Sequence, residues 1–329
     1  MVSERRRLAP GLARNGGRDP RGAARDAGPR RTARAAHKRQ TLRHGARGGR
    51  MAHELGASDW GDWLTDRVDA ADPDGVRAWY LGCNGFALKD DAGTTLWIDP
   101  YCGTGDPPRV VRMIPVPLDP AAVARADAVL ATHEHSDHVH GPTQGPLLAG
   151  TRATYHAPAD SLAVVESEDW TGAYDLDAGR FEEVEAGDSF AVGAFEIQVV
   201  EVHDPDATGP VGYVVEHDAG TFFHGGDTKP GPALAAVGDR FDVDVAAVAF
   251  GTVGMLPDGE GGRTRTKWYC DENEAVAVAN AVGADRLLPT HWDVWRGLTA
   301  DPKSLHDHAR SLSSPERLAV VQVGGRITI

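Results

Sequence analysis

The segment 132–138, with the sequence THEHSDH, constrains the fold of this chain more than any other feature. It places three histidines and an aspartate directly behind an apolar run, ADAVLA, that predicts a buried strand. Imidazole nitrogen and carboxylate oxygen are the ligands that borderline divalent metals such as zinc bind. The spacing puts His133 and His135 on one side of an extended turn, and lets Asp137 and His138 face a second metal. The alternative, a histidine-rich surface turn or histidines bonded to the backbone, explains so dense a group less well.

Three further candidate ligands follow apolar runs later in the chain. His203 ends the run VVEVH, Asp227 follows TFFHGG, and His291 ends RLLPTH. A single histidine at a strand end is more often structural than a metal ligand, but three such groups together indicate a common edge. Among the other histidines, His224 is predicted to support Asp227 as a hydrogen-bond donor. The histidines that we do not expect to bind metal are His156, His217, His224, His306 and His308.

The pattern H-x-H-x-D-H behind an apolar strand resembles the signature of the metallo-β-lactamase-fold hydrolases. The resemblance implies an α/β fold, a four-layer αββα sandwich with metals at one edge, and one or two divalent ions, zinc or manganese, as cofactors. Such a site would use a metal-bound hydroxide, with Asp137 as the catalytic group that orients it and protonates the leaving oxygen. The implied ligands are His133, His135 and His203 for one metal, Asp137, His138 and His291 for the other, and Asp227 as the bridge.

Apolar periodicity predicts strands and helices in alternation, in two halves that each begin with strands. The clearest helix is 271–282, where Asp271 is the N-cap, Glu274 stands three residues later and Gly283 ends the helix. The other predicted helices are 159–166 and 233–237. The predicted strands are 76–81, 94–98, 128–131, 189–192, 194–202, 211–216, 221–224 and 243–250.

Two further segments are interpreted from their glycines. The segment 141–145 carries glycine but lacks a phosphate-loop lysine, so it is predicted to be a loop. Segments 318–323 and 326–329 are predicted to form a final hairpin around Gly324-Gly325.

Several other segments carry a closer resemblance. They are WGDWL (60–64), YLGCNG (80–85), IDPYCGTG (98–105), DAVLATH (127–133), HWDVW (291–295), ADP (300–302) and QVGG (322–325). Discontinuously, from about residue 60 to the C-terminus, they are similar to the bacterial L-ascorbate-6-phosphate lactonase family. The similarity implies a lactonase or esterase acting on a small anionic, sugar-acid-like substrate. The chain departs from that family before Tyr155 and before Gly212, where it is shorter, so the substrate is less constrained than the chemistry. A phosphodiesterase acting on RNA or a lipid headgroup, and a non-catalytic metal-binding protein of the same fold, are the alternatives.

Substrate binding is predicted in the loop 251–267, which is rich in glycine and contains a basic cluster. In an otherwise acidic chain, Arg263, Arg265 and Lys267 could hold an anion or phosphate on the substrate. The alternative is a solvated loop whose charges pair with neighbouring acids. The sequence favours neither interpretation.

Charge divides the chain into two regions. Residues 1–50 carry 15 Lys+Arg and 3 Asp+Glu, whereas 51–329 carry 19 Lys+Arg and 45 Asp+Glu. The first region has no periodic apolar face and is predicted to be a disordered basic tail. It could be a nucleic-acid-binding arm or a transit peptide, but the abrupt change at Met51 favours a translated leader that is not part of the natural protein. The predicted domain, 51–329, is the hydrolase unit.

The acidic composition of 51–329 also limits the partners. A surface with few lysines suits a protein that remains soluble in high salt, as in a halophilic cytoplasm, and it disfavours nucleic acid because phosphates are repelled. Three cysteines without paired spacing indicate a reducing, cytoplasmic setting. No apolar run predicts a membrane span. The expected partner is a small-molecule substrate, and a homo-oligomer is compatible with the sequence.

Overall fold

The computed structural model describes residues 54–309 and 315–329. The predicted basic tail, 1–50, lies outside these ranges, so its boundary at Met51 stays a prediction. No helix in the described ranges is both long enough and apolar enough to cross a bilayer. The chain's three cysteines are all free and buried.

Strands and helices alternate along the chain, as the apolar pattern predicts. In the described part of the chain the strands are β1 (Arg77–Gly82), β2 (Gly85–Lys89), β3 (Thr95–Ile98), β4 (Gly105–Asp106), β5 (Val110–Val111), β6 (Ala128–Leu130), β7 (Thr154–Ala157), β8 (Phe181–Glu183), β9 (Ser189–Val192), β10 (Phe195–Glu201), β11 (Val211–His217), β12 (Gly220–His224), β13 (Val245–Ala249), β14 (Gly254–Pro257), β15 (Arg263–Thr266), β16 (Arg286–Thr290), β17 (Arg317–Leu318) and β18 (Arg326–Thr328). The helices there are α1 (Trp63–Asp69), α2 (Gly141–Gly150), α3 (Ala159–Ser167), α4 (Trp170–Tyr174), α5 (Leu234–Arg240), α6 (Glu272–Ala281) and α7 (Pro302–Ala309). Short 3-10 turns lie at Pro120–Ala122 and Ala178–Arg180.

The strands form two seven-stranded sheets built on one plan. The order in the first sheet is β18-β1-β2-β3-β6-β7-β8, and in the second it is β17-β16-β13-β12-β11-β10-β9. In the first sheet the neighbours β18, β1, β2 and β3 pair in antiparallel fashion, whereas β3, β6, β7 and β8 pair in parallel. In the second sheet β9 to β12 are antiparallel, and β12, β13, β16 and β17 are parallel. Two separate ribbons, β4-β5 and β14-β15, lie outside the sheets.

The sheets are covered on both faces, which gives four layers. Apolar side chains from both sheets form one core between them; its large aromatic members include Tyr80, Phe86, Phe195, Tyr213 and Phe222. The outer face of the first sheet packs against α1 to α4 through residues such as Trp79, Trp97, Leu147, Tyr155 and Trp170. The outer face of the second sheet packs against α5 to α7 through residues such as Phe223, Leu234, Val276 and Leu305. The predicted αββα sandwich is therefore confirmed.

The predicted helix at 271–282 is observed as α6 with its capping box. Asp271 accepts a hydrogen bond from the Glu274 amide at 3.1 Å, and Glu274 accepts one from the Asp271 amide at 3.0 Å. These contacts satisfy amides that the first helical turn leaves without partners.

The predicted loop at 141–145 is wrong, because this segment is the first part of α2. Its glycines serve close packing rather than loop flexibility. A Cβ added at Gly141 would lie 2.7 Å from the Trp170 indole nitrogen, and one at Gly145 would overlap the Tyr174 ring. Glycine at both positions therefore lets α2 approach α4.

The predicted C-terminal hairpin is also wrong. β17 pairs with β16 in the second sheet, and β18 pairs with β1 in the first, so the chain crosses between the sheets. Gly324, with φ of 74°, makes the bend, and its amide donates to the Tyr80 carbonyl at 2.8 Å. Alternate apolar side chains of the crossing segment, such as Val321 and Val323, pack against the core between the sheets. Burial of these side chains outweighs the pairing of two adjacent segments.

The core between the sheets predicts a large loss of stability for Phe222→Ala. Phe222 is fully buried, and its ring lies 5.3 Å from that of Phe86 in an edge-on arrangement. We expect the free energy of unfolding to fall by about 3–5 kcal/mol, measured by urea denaturation. The matched control, Val320→Ala at an exposed position, should change it by less than about 0.5 kcal/mol. Equal effects of the two substitutions would contradict this account of the core.

Candidate metal centre

Potential metal ligands meet at one edge of the two sheets, where several strands end. The motif segment follows β6 of the first sheet, and Asp227 and His291 follow β12 and β16 of the second. Because the parallel strands in each sheet point the same way, their carboxyl ends lie at a common edge. A fourth group, Asp204, follows β10.

Three groups of side chains have ligand atoms that all lie within 4.8 Å of one another in the described part of the chain. The first consists of His133, His135, Asp204 and Asp227. The second consists of His138, Asp227 and His291, and the third of Cys83, Asp137 and His291. Asp227 belongs to two groups, which is the position that a bridging carboxylate requires. The structure thus brings together every predicted ligand except His203.

His203 lies outside these groups, and its neighbour Asp204 lies inside. The His203 side chain is exposed, and its amide donates to the Thr228 hydroxyl at 3.0 Å. Asp204 is buried, with Oδ2 3.7 Å from His133 Nε2. The alternation of buried and exposed side chains shifts by one residue near the end of β10. As a result Val202 and Asp204 are buried, and His203 between them is exposed. The alternation that buries Phe195, Ile197 and Val199 would place His203 inside if it continued, so the sequence carries no signal for Asp204.

Asp99 fixes the orientation of His138, a role that the sequence pattern did not reveal. Its Oδ2 lies 2.7 Å from His138 Nδ1, and it accepts hydrogen bonds from the Thr132 amide and hydroxyl at 2.9 and 2.8 Å. Asp99 adopts φ of 44°, a left-handed conformation that aspartate tolerates. If His138 donates from Nδ1, its Nε2 is left with a lone pair that can bind a metal.

His291 is held by its backbone amide, which donates to the Cys83 carbonyl at 2.9 Å, and by an aromatic neighbour. Its ring stacks on Tyr269, with ring centroids 4.2 Å apart and an interplanar angle of 15°. Its Nε2 lies 3.2 Å from Asp227 Oδ1 and 3.9 Å from Asp137 Oδ2. The ring therefore faces both carboxylates.

The buried carboxylates and imidazoles shift each other's pKa values. Burial would raise the pKa of Asp227, but His291 and His138 outweigh burial and hold it well below its usual range. Burial would lower the pKa of His138, but Asp227 and Asp99 raise it well above its usual range. Burial raises the pKa of Asp204 to about 6, and the charge of Asp227 adds to this effect. Since a metal must displace protons from these groups, its binding weakens as the pH falls.

Several buried ligand atoms have no hydrogen-bond partner. They are His138 Nε2, Asp204 Oδ2 and both ring nitrogens of His291. A buried polar atom without a partner costs about 1–3 kcal/mol, so a group that binds them would stabilise the structure. Imidazole and carboxylate together match a borderline divalent cation. The residues present therefore fit the metal that the sequence motif implies.

The other predicted binding residues lie on or beside the β14-β15 ribbon. Arg263 and Arg265 are exposed, and Arg263 donates to the Met255 carbonyl at 3.1 Å. Lys267 instead forms ion pairs with Asp271 at 2.7 Å and Glu274 at 2.8 Å. Its charge is therefore already matched by two acids, as the solvated-loop interpretation expects.

The histidines that were not expected to bind metal lie outside the three groups of the described chain. His156 stacks on Phe190, and His306 and His308 lie on α7. His224 Nε2 lies 2.7 Å from the Asn84 carbonyl, and its Nδ1 accepts from the Gly226 amide at 3.3 Å. It thus orders the turn before Asp227 rather than the carboxylate itself.

The neighbours Asp204 and His203 give a matched pair of substitutions. Asp204→Ala should remove about one metal equivalent, or weaken its binding at least about tenfold, because it deletes a buried ligand atom. His203→Ala should keep the full metal content, because the side chain is exposed. Elemental analysis after dialysis against a defined metal buffer measures both. Loss of metal in His203→Ala together with retention in Asp204→Ala would overturn this assignment.

Known proteins resemble this chain in sequence and in fold. A family model described as a β-lactamase superfamily domain matches residues 94–292. The chain is 25% identical to the probable L-ascorbate-6-phosphate lactonase UlaG of Escherichia coli, over 75% of this chain and 78% of the relative. The family-model match at 94–292 includes the candidate ligands from His133 to His291.

Solved structures share the fold at lower identity. The metallo hydrolase Igni18 of Ignicoccus hospitalis has a TM-score of 0.57 at 17% identity, covering 77% of this chain and 97% of that protein. CmlA, a diiron β-hydroxylase of Streptomyces venezuelae, has a TM-score of 0.55 at 16% identity, covering 78% of this chain and 54% of that protein. Proteins of this fold bind divalent metal ions, and the relatives support a hydrolase. The matched family model and the shared two-sheet fold show that this chain belongs to the metallo-β-lactamase superfamily and is related to UlaG.

Proposed function

We propose that this protein is a metal-dependent hydrolase that opens a lactone or a similar ester of a small anionic, sugar-acid-like substrate. The observation that carries the proposal is the position of Asp227, whose carboxylate belongs to two adjacent groups of potential ligands. The lactonase named among the relatives supports the choice of bond. The fold alone would not, because it hosts different chemistries.

Two divalent metals would bind side by side in this arrangement. His133, His135 and Asp204 would hold the first, and His138, Asp137 and His291 the second, with Asp227 between them. Metals bound here would acidify a water molecule and polarise the carbonyl oxygen under attack. Zinc and manganese both accept this mixture of nitrogen and oxygen ligands.

Asp137 is the group that would move the proton. Its side chain is 15% exposed, more than those of Asp227 and Asp204, so it faces the side from which a substrate enters. Its oxygens lie 4.0 Å from His138 Nε2 and 3.9 Å from His291 Nε2. From this position its carboxylate would take a proton from the attacking water and return it to the leaving alkoxide.

An aromatic and aliphatic cluster would keep the site rigid. Tyr101, Tyr269, Trp295 and Leu256 pack in one cluster that also includes Cys83, and Tyr269 stacks on His291. A general base must stay within hydrogen-bond distance of the proton that it accepts. A fixed His291 ring beside Asp137 would limit the movement of that carboxylate. The cluster also shields one side of the site from water.

The β14-β15 ribbon would select an anionic substrate. Leu256 of β14 packs in the cluster beside the site and pairs with Thr264. Arg263 and Arg265 flank Thr264 on β15, and their side chains are exposed on the other face of the ribbon. Lys267 is paired with two acids, so we assign anion binding to the two arginines. An exposed guanidinium can hold a carboxylate or phosphate through two parallel hydrogen bonds.

We also propose a cytoplasmic location. The three buried cysteines are all free thiols, as a reducing compartment would keep them. A small-molecule substrate, rather than nucleic acid, fits the acidic composition.

The role of Asp137 predicts a loss of turnover in Asp137→Asn. We expect kcat for chromogenic lactones and esters to fall about 10²–10⁴-fold, because the amide cannot accept the proton. The matched control, Asp285→Asn at an exposed position, should keep full activity. Metal content is measured in parallel, since Asp137 is also a proposed ligand. Unchanged turnover by Asp137→Asn, or by a preparation shown to be free of metal, would contradict the mechanism.

The role of the arginines predicts a selective change in KM. Arg265→Gln should raise KM for an anionic lactone about tenfold and leave its uncharged analogue nearly unaffected, because only the former loses a charge-assisted contact. Lys267→Gln is the matched control and should change neither. Including a bis-phosphodiester in the substrate panel tests the alternative activity. Equal effects of Arg265→Gln on charged and neutral substrates would reject anion binding by the ribbon.

A further inference from the structure

Cys83 lies in the tight turn between β1 and β2, at the edge where the ligand groups meet. Its backbone has φ of 51°, in the left-handed region that few residues other than glycine, asparagine and aspartate adopt. Hairpin turns of this kind favour asparagine and glycine, and these residues follow as Asn84 and Gly85. Backbone preference therefore does not account for a cysteine at this position, so its side chain must be considered.

The Cys83 thiol faces the proposed second metal position. Its Sγ lies in one group with a carboxylate oxygen of Asp137 and a ring nitrogen of His291, all within 4.8 Å of one another. The His291 side chain is buried, and neither of its ring nitrogens has a hydrogen-bond partner. The His291 amide also donates to the Cys83 carbonyl at 2.9 Å. A buried imidazole that makes no hydrogen bond through its ring, and whose Nε2 lies 3.2 Å from Asp227 Oδ1, thus shares a ligand group with the thiol.

A fixed positive charge lies near the thiol. Nη1 of Arg112 is 4.0 Å from Cys83 Sγ. The guanidinium is held by hydrogen bonds to the backbone carbonyls of Tyr101, Gly103, Ile114 and Pro115. These acceptors are neutral, so the positive charge remains available to a nearby anion.

We propose that Cys83 is a thiolate ligand at the second metal position, beside Asp137 and His291. Binding replaces the S–H bond with a sulfur–metal bond, and the displaced proton leaves to solvent. No group is oxidised or reduced. The inference rests on the metal positions of the proposed function, but not on its substrate or on turnover.

A thiolate would make the two metal positions chemically different. The first position, with His133, His135, Asp204 and Asp227, offers only nitrogen and oxygen. The second offers sulfur in addition. Thiolate favours zinc and cobalt over manganese, whereas carboxylate-rich positions accept manganese. A protein supplied with both zinc and manganese would therefore hold zinc at the second position.

Cobalt(II) titration of the full chain tests the proposal by absorption. A thiolate-to-cobalt charge-transfer band should appear in the near ultraviolet as the metal binds. Cys83→Ser should abolish the band while cobalt still binds through histidines and carboxylates. Cys102→Ser and Cys270→Ser are matched controls and should keep it, because neither thiol lies in a ligand group of the described chain. Full cobalt occupancy without the band, or an unchanged band in Cys83→Ser, would overturn the proposal.

X-ray absorption at the zinc edge provides a test that needs no variant. The zinc-loaded natural sequence should show sulfur scattering at about 2.3 Å. Only nitrogen and oxygen scatterers would reject Cys83 as a ligand, even if Cys83→Ser failed to fold. If the protein hydrolyses its substrate but shows no sulfur scattering, the Cys83 proposal is rejected and the proposed function stands. If it shows sulfur scattering but no hydrolysis, the Cys83 proposal stands and the proposed function is rejected.

Discussion

One buried carboxylate, Asp227, held between two histidines, is the interaction on which the site depends. Its oxygens lie 3.4 Å from His138 Nε2 and 3.2 Å from His291 Nε2. Burying a charged carboxylate costs free energy unless the charge is paired. The two histidines keep the pKa of Asp227 low despite its burial. His138 follows a strand of the first sheet, whereas Asp227 and His291 follow strands of the second. The need to pair this charge therefore joins the two sheets at one edge.

Residues behind the candidate ligands reinforce that connection. Asn84, in the turn after β1, donates from its amide to Asp227 at 3.4 Å and accepts from the Thr290 hydroxyl at 2.8 Å. Asp99 holds His138 from the opposite side. Hydrogen bonds of this kind fix the direction of a ligand atom before any metal arrives. Asp227 and His138 are thus each oriented by a residue from another part of the chain.

The sequence predicted the fold well because both faces of each sheet are buried. Runs such as β6 and β13 are continuously apolar, and the motif segment follows β6 directly. The sequence could not predict that Asp204 rather than His203 turns inward, because the register changes after β10 and depends on packing distant in the chain. The positions of Cys83 and Asp99 depend on left-handed turns that no apolar pattern reveals. Likewise, the final strands separate into two sheets because burial of the crossing segment outweighs local pairing.

Anomalous X-ray scattering from crystals grown with zinc or manganese tests the central claim most directly. The account predicts two adjacent metal peaks, one bound by His133, His135 and Asp204 and the other by His138, Asp137 and His291, with Asp227 between them. No peak at this edge of the sheets at saturating metal, or a peak bound by His203 instead of Asp204, would contradict it.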